Sequence, residues 1–482
     1  MSDAGTGRPN GQLWRAIDRV DPPKRPAAER VGDFHEIYSL LDEASVREQA
    51  SRCIQCPQPS CQEGCPLSNR IPEWLALAAE GKFLEAAELS QATSNMPEIC
   101  PRVCPQERLC EGACILVGHA EPICIGAIEK FINEYAIAHG GNTVSCAPAN
   151  GLGVAVVGSG PGGLACADEL AKLGYAVTIF ESQSQAGGLL LNGIPAFKLE
   201  KSVVERRLNI LRQRGVKFKL GVTVGVEVHL RDLLEDFKAV FLGIGAQKAK
   251  PLGLPGADLP GVHQALPFLV QYNSPMPLEI PAIPVAGRRV AVLGGGDTAM
   301  DCLRTALRAG ATEAVCVYRR DLANMPGSRK EYFNALEETA QFLFLTNPVA
   351  LEADAQGRVA GVRCVRMELG EPDASGRQKP RTVPGSEFTI QADLVLVAYG
   401  FDPVPFPAGS DLSRVALNDW GAVKVDELQM TSVPGVFAGG DASRGASLVV
   451  HAVRDGRRAA LGIHRFLRGE LAPAPAAAAA RV

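Results

Sequence analysis

Two segments of the chain share one order of elements, and this repeat constrains the fold more than any other feature. Residues 153–181 and 288–320 each contain an apolar strand, a Gly-rich turn, an amphipathic helix and a second apolar strand. Such a unit holds two parallel strands beside a helix whose N-terminus can face a ligand phosphate. The alternation of strands and helices from residue 153 onward predicts parallel α/β sheets. Two such units predict two dinucleotide sites.

The first turn carries a complete G-x-G-x-x-G pattern. Its residues are Gly158, Ser159, Gly160, Pro161, Gly162 and Gly163. Gly158 permits the tight turn, Gly160 lets a pyrophosphate approach the backbone, and Gly163 lets helix and strand pack closely. Glu181 ends the second strand, 23 residues after Gly158, where a carboxylate can bind a ribose hydroxyl pair.

Two later segments favour a flavin, as FAD, at this first unit. The run FLGIGA, residues 241–246, is an apolar strand followed by a Gly turn at Gly245. A second apolar strand ends at Gly440 and Asp441, and Asp441 can accept a hydrogen bond from the ribityl chain. The helix predicted from Ser447 can stabilise negative charge on a reduced flavin ring. The FAD domain is therefore predicted to be split around the second unit.

The second turn is a G-x-G-x-x-A variant, and its second strand ends in arginines. The turn residues are Gly294, Gly295, Gly296, Asp297, Thr298 and Ala299. Arg319 and Arg320 stand where an acid would favour the free 2′-hydroxyl of NAD. Because guanidinium groups bind phosphate, we predict that these arginines select NADP. The alternative is that they only solvate the strand end.

Clustered cysteines precede both units. Of the 14 cysteines, eight occur at short spacings: Cys53, Cys56, Cys61, Cys65, Cys100, Cys104, Cys110 and Cys114. The C-x2-C-x4-C-x3-C-P spacing from Cys53 resembles that of ferredoxins. Eight thiolates in two sets of four predict two 4Fe–4S clusters, with zinc as the alternative. A disulfide framework is disfavoured, because it is typical of short secreted chains with a signal peptide.

Composition excludes several classes of partner. The 482 residues are 46% hydrophobic and 21% charged, with a formal net charge of -4. The chain has no long basic run for nucleic acid, and no apolar stretch reaches the roughly 18 residues of a membrane helix. Residues 1–12 are polar and contain no signal core. We therefore expect a cytoplasmic protein that binds neither nucleic acid nor membranes.

The predicted fold class is α+β and multidomain. An N-terminal α-helical iron–sulfur domain is followed by two Rossmann-like α/β dinucleotide-binding domains, with the NADPH domain inserted in the FAD domain. The predicted boundaries are 1–148 for the helical domain, 149–284 and 403–470 for the FAD domain, and 285–402 for the NADPH domain. Residues 471–482, mostly Ala and Pro, are predicted to be a disordered tail.

From residue 24 to residue 468 the chain resembles the small (β) subunits of bacterial NADPH-dependent glutamate synthases. Besides the cysteine runs, the motifs that carry this resemblance are GGLL at 187–190, GIP at 193–195, KLEK at 198–201, MPGS at 325–328 and GASLVV at 445–450. Part of dihydropyrimidine dehydrogenase has the same architecture, with extra domains. These motifs add further residues to the predicted cofactor contacts, namely Gly188, Leu189, Leu448 and Val449.

The resemblance also implies cluster ligands that differ from two plain sets of four. It implies one set made of Cys65, Cys104, Cys110 and Cys114. The set of Cys53, Cys56 and Cys61 would then need a fourth ligand that is not a cysteine. The residue at the matching position is Glu129. Cysteine spacing alone uses Cys100 instead, and the choice stays open.

The function implied by the resemblance is electron input. NADPH would pass hydride to FAD, and two 4Fe–4S clusters would carry electrons to a glutamate synthase large (α) subunit in a hetero-oligomer. That large subunit would make L-glutamate from L-glutamine and 2-oxoglutarate. We predict no catalytic acid or base, because hydride transfer depends mainly on alignment. The alternatives are an NADPH:ferredoxin or other acceptor oxidoreductase of the same architecture, and a non-catalytic redox scaffold, which the intact glycine turns disfavour.

Overall fold

The computed structural model describes residues 13–141, 146–274, 281–372, 378–404 and 406–471. The tail predicted for residues 471–482 lies outside these ranges, except for Leu471. Among the helices in these ranges, none combines the length and the apolar character that crossing a membrane requires.

The N-terminal segment consists of short helices joined by cysteine-bearing loops. The helices are α1 (Leu13–Ala16), α2 (Ala27–Arg30), α3 (Glu43–Ser51), α4 (Ser60–Glu63), α5 (Ile71–Ala79), α6 (Phe83–Thr93), α7 (Cys100–Val103) and α8 (Ile125–Ala138). Helices α3, α5, α6 and α8 pack around one apolar core that includes Trp74 and Phe131. Asp42 begins α3 by accepting a hydrogen bond from the Ser45 N–H at 2.7 Å. The cysteine loops therefore border a fixed helical core.

Strands and helices alternate through the rest of the chain. Residues 153–273 contain β1 (Gly153–Val157), α9 (Pro161–Lys172), β2 (Ala176–Glu181), α10 (Leu189–Asn192), α11 (Lys201–Gln213), β3 (Lys217–Leu220), α12 (Leu230–Asp236), β4 (Ala239–Leu242), β5 (Lys248–Ala249), β6 (Val262–Gln264) and α13 (Ala265–Asn273). Residues 289–402 contain β7 (Arg289–Leu293), α14 (Asp297–Arg308), β8 (Glu313–Val317), α15 (Arg329–Glu337), β9 (Gln341–Leu343), β10 (Thr346–Ala353), β11 (Val359–Pro372), β12 (Gln378–Thr382), β13 (Phe388–Gln391), β14 (Leu394–Val397) and β15 (Phe401–Asp402). The last elements are β16 (Val436–Ala438), α16 (Asp441–Arg444) and α17 (Val449–Leu467).

The first sheet has parallel strands in the order β16-β4-β1-β2-β3. Its central strands β1 and β4 are apolar and almost wholly buried, as expected of a parallel sheet covered on both faces. Strand β16 comes from the end of the chain, so the second unit is inserted between β4 and β16. The carboxyl ends of these strands meet at one edge, which is where ligands bind in such sheets.

The second sheet is also parallel, in the order β6-β14-β7-β8-β9. Strand β6 pairs with β14, and Phe268 of α13 packs into the same core as α14. Both elements precede residue 285, where the sequence predicted the NADPH domain to begin. A three-residue edge strand carries too little periodicity to be recognised in a sequence. Strands β10 to β13 form antiparallel pairs and are inserted between β9 and β14. Strand β5 pairs with β15 where the chain passes between the two units.

Buried ion pairs hold the second unit against the rest of the chain. The Glu338 carboxylate binds Arg304 and Arg308 of its own unit and Arg30 of the N-terminal segment, at N–O distances of 2.8, 2.6 and 2.8 Å. Phe197 of the first unit lies against both Arg304 and Arg308, whose guanidinium carbons are 4.2 and 4.1 Å from the ring centre. Burial acts to raise the pKa of Glu338, but hydrogen bonds from Arg304 and Arg308 lower it to about 2.

Replacing Glu338 with glutamine is expected to destabilise this contact strongly. The change removes a carboxylate shared by three guanidinium groups, of which Arg30 and Arg304 keep Glu337 and Glu331 as second partners. Breaking a buried ion pair typically costs about 3–5 kcal/mol of unfolding free energy. Because the pKa is lowered on folding, the contribution of Glu338 is fully present above about pH 4.5 and is lost as the pH falls toward 2. The midpoint of thermal unfolding at pH 7 measures the effect. The exposed Glu427 provides the control, and equal midpoints for Glu338→Gln and Glu427→Gln would contradict the prediction.

Candidate functional site

The Gly turn after β1 forms an open cradle at the start of α9, here called the first cradle. Gly158 has φ +95°, and a Cβ added there would lie 2.4 Å from the Gly243 carbonyl oxygen. A Cβ at Gly163 would lie 2.0 Å from the Gly158 carbonyl oxygen. At Gly160, by contrast, an added Cβ would have no described heavy atom within 4 Å. This open space at the N-terminus of a 12-residue helix has the place and the character of a pyrophosphate site.

Glu181 is buried and hydrogen-bonds to the turn itself. Its Oε2 accepts from the Ser159 N–H at 2.9 Å and from the Ser159 hydroxyl at 2.5 Å. The Ser159 oxygen in turn accepts from the Gly187 N–H at 2.9 Å. A Cβ at Gly188 would lie 2.9 Å from the Gly160 Cα, so the segment that leads into Leu189 forms a second wall of the cradle. Glu181 therefore also fixes the turn, a role that its spacing did not predict.

Asp441 lies after β16 at the same edge of the sheet. Its Oδ1 accepts from the Ser447 N–H at 3.1 Å. Burial raises the pKa of Asp441 to about 7, although the Ser447 N–H acts to lower it. Ser447 is exposed, and the 19-residue helix α17 follows it, with Leu448 as the residue before Val449. This part of the edge therefore offers a carboxyl group and a helix N-terminus side by side.

The second Gly turn, at the start of α14, has the same construction and is called the second cradle. A Cβ at Gly294 would lie 2.4 Å from the Ala398 carbonyl oxygen. A Cβ at Gly296 would meet open space in the part of the chain that the structure describes. Asp297 begins α14, and its Oδ1 accepts from the Ser328 N–H at 2.9 Å. The MPGS motif is thereby attached to the turn, and this cradle also leaves room for a phosphate group.

The two arginines after β8 have different surroundings. Arg319 is exposed, whereas Arg320 is 6% exposed and its Nε donates to the Gln378 carbonyl at 2.8 Å. Tyr399 follows β14, is 38% exposed and lies near Arg319, whose positive charge acts to lower the pKa of the phenol against the effect of partial burial.

The outer cysteine group lies at the N-terminal segment around a small cavity of about 20 Å³. We define this group as Cys53, Cys56, Cys61 and Cys114. Burial raises the pKa of Cys53 to about 11 and that of Cys61 to about 12. In both cases the neighbouring thiols of Cys56 and Cys114 raise the pKa further. The four side chains line the same cavity, which places them close together.

The inner cysteine group lies between the helical segment and the first sheet. We define it as Cys65, Cys104 and Cys110, with Cys100 and Glu129 beside them. Cys100 belongs to the core of the first unit, and Cys104 packs against that core. A hydrogen bond with the Cys100 thiol and burial both raise the pKa of Cys104. Burial raises the pKa of Glu129 to about 7, although its Oε1 accepts hydrogen bonds from Asn69 and Ser90 at 2.8 and 3.1 Å.

This grouping differs from the ligand sets that the resemblance implied. Cys114 lies in the outer group rather than with Cys65, and Glu129 lies at the inner group rather than beside Cys53. The cause is a contact between distant segments: the Ser60 hydroxyl donates to the Ala113 carbonyl at 2.5 Å and brings the chain before Cys114 against α4. Among the described residues, no three or more His, Cys, Asp or Glu side chains are arranged to hold a single metal ion.

Comparison with known proteins identifies the family. Residues 30–141 match the family described as dihydropyrimidine dehydrogenase domain II, 4Fe-4S cluster, and residues 152–456 match pyridine nucleotide-disulphide oxidoreductase. The chain is 47% identical to the glutamate synthase [NADPH] small chain of Azospirillum brasilense, over 95% of this chain and 96% of that protein. The chain belongs to the glutamate synthase small-chain family. The small chain of Escherichia coli K12 is 46% identical over 94% of this chain and 98% of its own length.

Family membership confirms the predicted resemblance, the oxidoreductase class and the iron–sulfur segment. It also confirms the order of an iron–sulfur segment before a nucleotide-binding α/β region. Mycobacterium tuberculosis FprA in complex with NADPH has a TM-score of 0.56 at 23% identity, covering 67% of this chain and 85% of that one, which supports the fold alone. The Escherichia coli oxidoreductase AegA is 47% identical over 95% of this chain but only 71% of its own length. The same architecture therefore also occurs in a longer protein.

The predicted site residues fall mainly on the two cradles. The first edge brings together Gly158 to Gly163, Glu181, Gly188, Leu189, Gly245, Gly440, Asp441 and Ser447 to Val449. The second edge brings together Gly294 to Ala299 and Arg319, while Arg320 is buried. Sequence analysis did not select Lys198, although the KLEK motif contains it. Its Nζ binds Asp301 at 2.9 Å and so joins the two units.

Proposed function

We propose that this chain is the electron-input subunit of an NADPH-dependent glutamate synthase, working with a large subunit that makes L-glutamate from L-glutamine and 2-oxoglutarate. The observation that carries the proposal is the presence of two open cradles and two cysteine groups in a chain that is 47% identical to a glutamate synthase small chain. A bound FAD would supply a two-electron acceptor for hydride from NADPH and a one-electron donor to iron–sulfur clusters.

The first cradle would hold FAD. Gly160 leaves the space for the pyrophosphate, and the start of α9 supplies backbone N–H groups and a positive dipole end. Glu181 fixes the turn and would accept from ribose hydroxyls. Asp441 would accept from the ribityl chain, and the α17 N-terminus after Ser447 would stabilise negative charge on the flavin ring.

The second cradle would hold NADPH. Gly296 leaves space for the pyrophosphate at the start of α14, and the exposed Arg319 would bind the 2′-phosphate. The ion pair between Lys198 and Asp301 holds the start of α14 against the first unit. That contact would align the two nucleotides for hydride transfer.

The cysteine groups would hold two 4Fe–4S clusters. The outer group supplies four thiolates of its own. The inner group supplies three, and either Cys100 or Glu129 would complete it. The inner group lies against the core of the first unit, and the outer group lies farther from it within the helical segment.

The arginines allow a test of nucleotide selection. Replacing Arg319 and Arg320 together with serine is expected to raise the Michaelis constant for NADPH at least tenfold, because charge-assisted hydrogen bonds to phosphate are worth roughly 1.5–3 kcal/mol each. NADH oxidation should change little. Arg319→Ser alone should produce most of the effect, since Arg320 is buried and bound to Gln378. Steady-state kinetics with both nucleotides measure this, and an equal loss for NADH and NADPH would mean that Arg319 is structural.

The whole proposal is tested by assaying the chain alone and with the large subunit. Alone, it should oxidise NADPH with a tetrazolium dye and make no glutamate. Adding the large subunit should couple NADPH oxidation to glutamate formation. Glutamate from the isolated chain, or no gain over the large subunit alone, would overturn the proposal.

A second candidate is an NADPH oxidoreductase that supplies a different acceptor. The observation that favours it is the 47% identity to AegA, a longer oxidoreductase that is not named as a glutamate synthase. Reduction of ferredoxin by NADPH, together with no binding to the glutamate synthase large subunit, would support this candidate.

A further inference from the structure

A loop of the N-terminal segment contacts the second unit directly. Residues 105–109, here called the 105–109 loop, connect two members of the inner cysteine group. Glu107 Oε1 accepts a hydrogen bond from the Arg329 backbone N–H at 2.8 Å, and Arg108 Nη1 donates to the Pro326 carbonyl at 2.5 Å. The bonded residues are 222 and 218 positions apart in the sequence, and sequence analysis selected neither Glu107 nor Arg108.

The same short segment is also bound to the second cradle. Within the MPGS motif, the Gly327 N–H donates to the Gly295 carbonyl at 3.0 Å, and the Ser328 N–H donates to Asp297 Oδ1 at 2.9 Å. The 105–109 loop binds the backbone groups on either side of these two residues. The nucleotide turn and the loop between the inner cysteines therefore hold one segment from opposite ends.

Glu107 does the work of a helix cap for α15. This helix begins at Arg329, and the side chain of Ser328 before it makes no capping hydrogen bond. The Glu107 carboxylate binds the first N–H of the helix instead and adds a negative charge near its positive dipole end. The loop is itself held in place, because the Gln106 carbonyl accepts from the Glu111 N–H at 3.0 Å.

We propose that Glu107 is a positioning residue for the nicotinamide nucleotide: it holds the MPGS motif against the second cradle and so sets the affinity of that cradle. This rests on the function proposed above, which assigns NADPH to the second cradle. The proposal has a definite sign. A carboxylate that acted only through its charge would repel an anionic nucleotide, so its removal would tighten binding. A carboxylate that positions the turn must have the opposite effect, and its removal must weaken binding.

Substitutions of Glu107 test this sign. Dissociation constants for NADP⁺ and NAD⁺ are measured by titration calorimetry on anaerobically purified chain, with iron and flavin contents determined for each variant. Glu107→Ala should weaken the binding of both nucleotides by the same factor, roughly fivefold, as expected for the loss of a helix-capping contact. The factor should be equal because the pyrophosphate turn is common to both nucleotides. Glu107→Gln keeps an oxygen acceptor and should recover most of the affinity.

Glu121→Ala is the matched control, because Glu121 is an exposed carboxylate of the same N-terminal segment. It should leave both dissociation constants unchanged. Unchanged or tighter binding in Glu107→Ala, a loss confined to NADP⁺, or an equal loss in Glu107→Gln would overturn the positioning role. Gly296→Val separates the two proposals: if it binds NADP⁺ as the unaltered chain does, the proposed site itself is wrong.

Hydrogen exchange of the unaltered chain tests the same link without a variant. Because coupling between two sites is reciprocal, NADP⁺ should slow the exchange of backbone amides in residues 106–109 as well as in residues 327–330. This measurement also decides the matter if Glu107→Ala loses iron. Slower exchange in residues 327–330 with unchanged exchange in residues 106–109 would contradict the proposal.

Discussion

Gly160→Val is expected to give a folded protein that carries no flavin. Gly160 has φ -69° and ψ -178°, a backbone conformation that valine adopts without strain. The added side chain would enter the open space of the first cradle, since no described heavy atom lies within 4 Å of the new Cβ. It would occupy the place where the pyrophosphate approaches the backbone. The fold should therefore tolerate the change while FAD binding is lost.

Gly296→Val is the matched control for this prediction. Gly296 has φ -89° and ψ 178°, and a Cβ there also meets open space among the described residues. This variant should keep its flavin but lose reduction of that flavin by NADPH, while dithionite still reduces it. Flavin absorbance per chain and circular dichroism measure both variants. Full flavin in Gly160→Val, or flavin loss in Gly296→Val, would mean that the cradles are wrongly assigned.

The sequence predicts the two cradles well because their requirements are local. A tight turn, a small residue and a following helix all lie within a few positions of Gly158 or Gly294. The boundary at which the second unit begins cannot be read from neighbouring residues. Strand β6 is assigned to that unit only because it pairs with β14. The burial of Arg320 is likewise not visible in the local sequence, because its partner Gln378 lies in β12, 58 residues later.

Cysteine spacing also fails to predict a contact between segments that are distant in the sequence. Cys110 and Cys114 are neighbours in the sequence, and spacing assigns them to one set. In the structure, Ala113 lies against Ser60, and this contact brings Cys114 to Cys61 while Cys110 stays with Cys65. A contact between segments about 50 residues apart in sequence leaves no trace in local spacing.

Pairs of cysteine substitutions should therefore distinguish the grouping seen in the structure from the grouping implied by the resemblance. Two 4Fe–4S clusters correspond to about eight iron atoms per chain. Each single change, Cys65→Ala or Cys114→Ala, should remove one cluster and leave about four iron atoms. If the two cysteines serve different clusters, the double variant should lose nearly all its iron. If they serve one cluster, the double variant should keep about four iron atoms, as either single variant does.

The companion double variant provides the control, because Cys53 and Cys114 belong to one group in the structure. Cys53→Ala with Cys114→Ala should retain the inner cluster and about four iron atoms. Iron and acid-labile sulfide are assayed on anaerobically purified protein, and electron paramagnetic resonance identifies the remaining cluster. Glu129→Ala and Cys100→Ala then decide the fourth inner ligand, because only the true ligand should cost a cluster. Retention of iron by the double variant of Cys65 and Cys114 would show that the resemblance, rather than the structure, gives the correct sets.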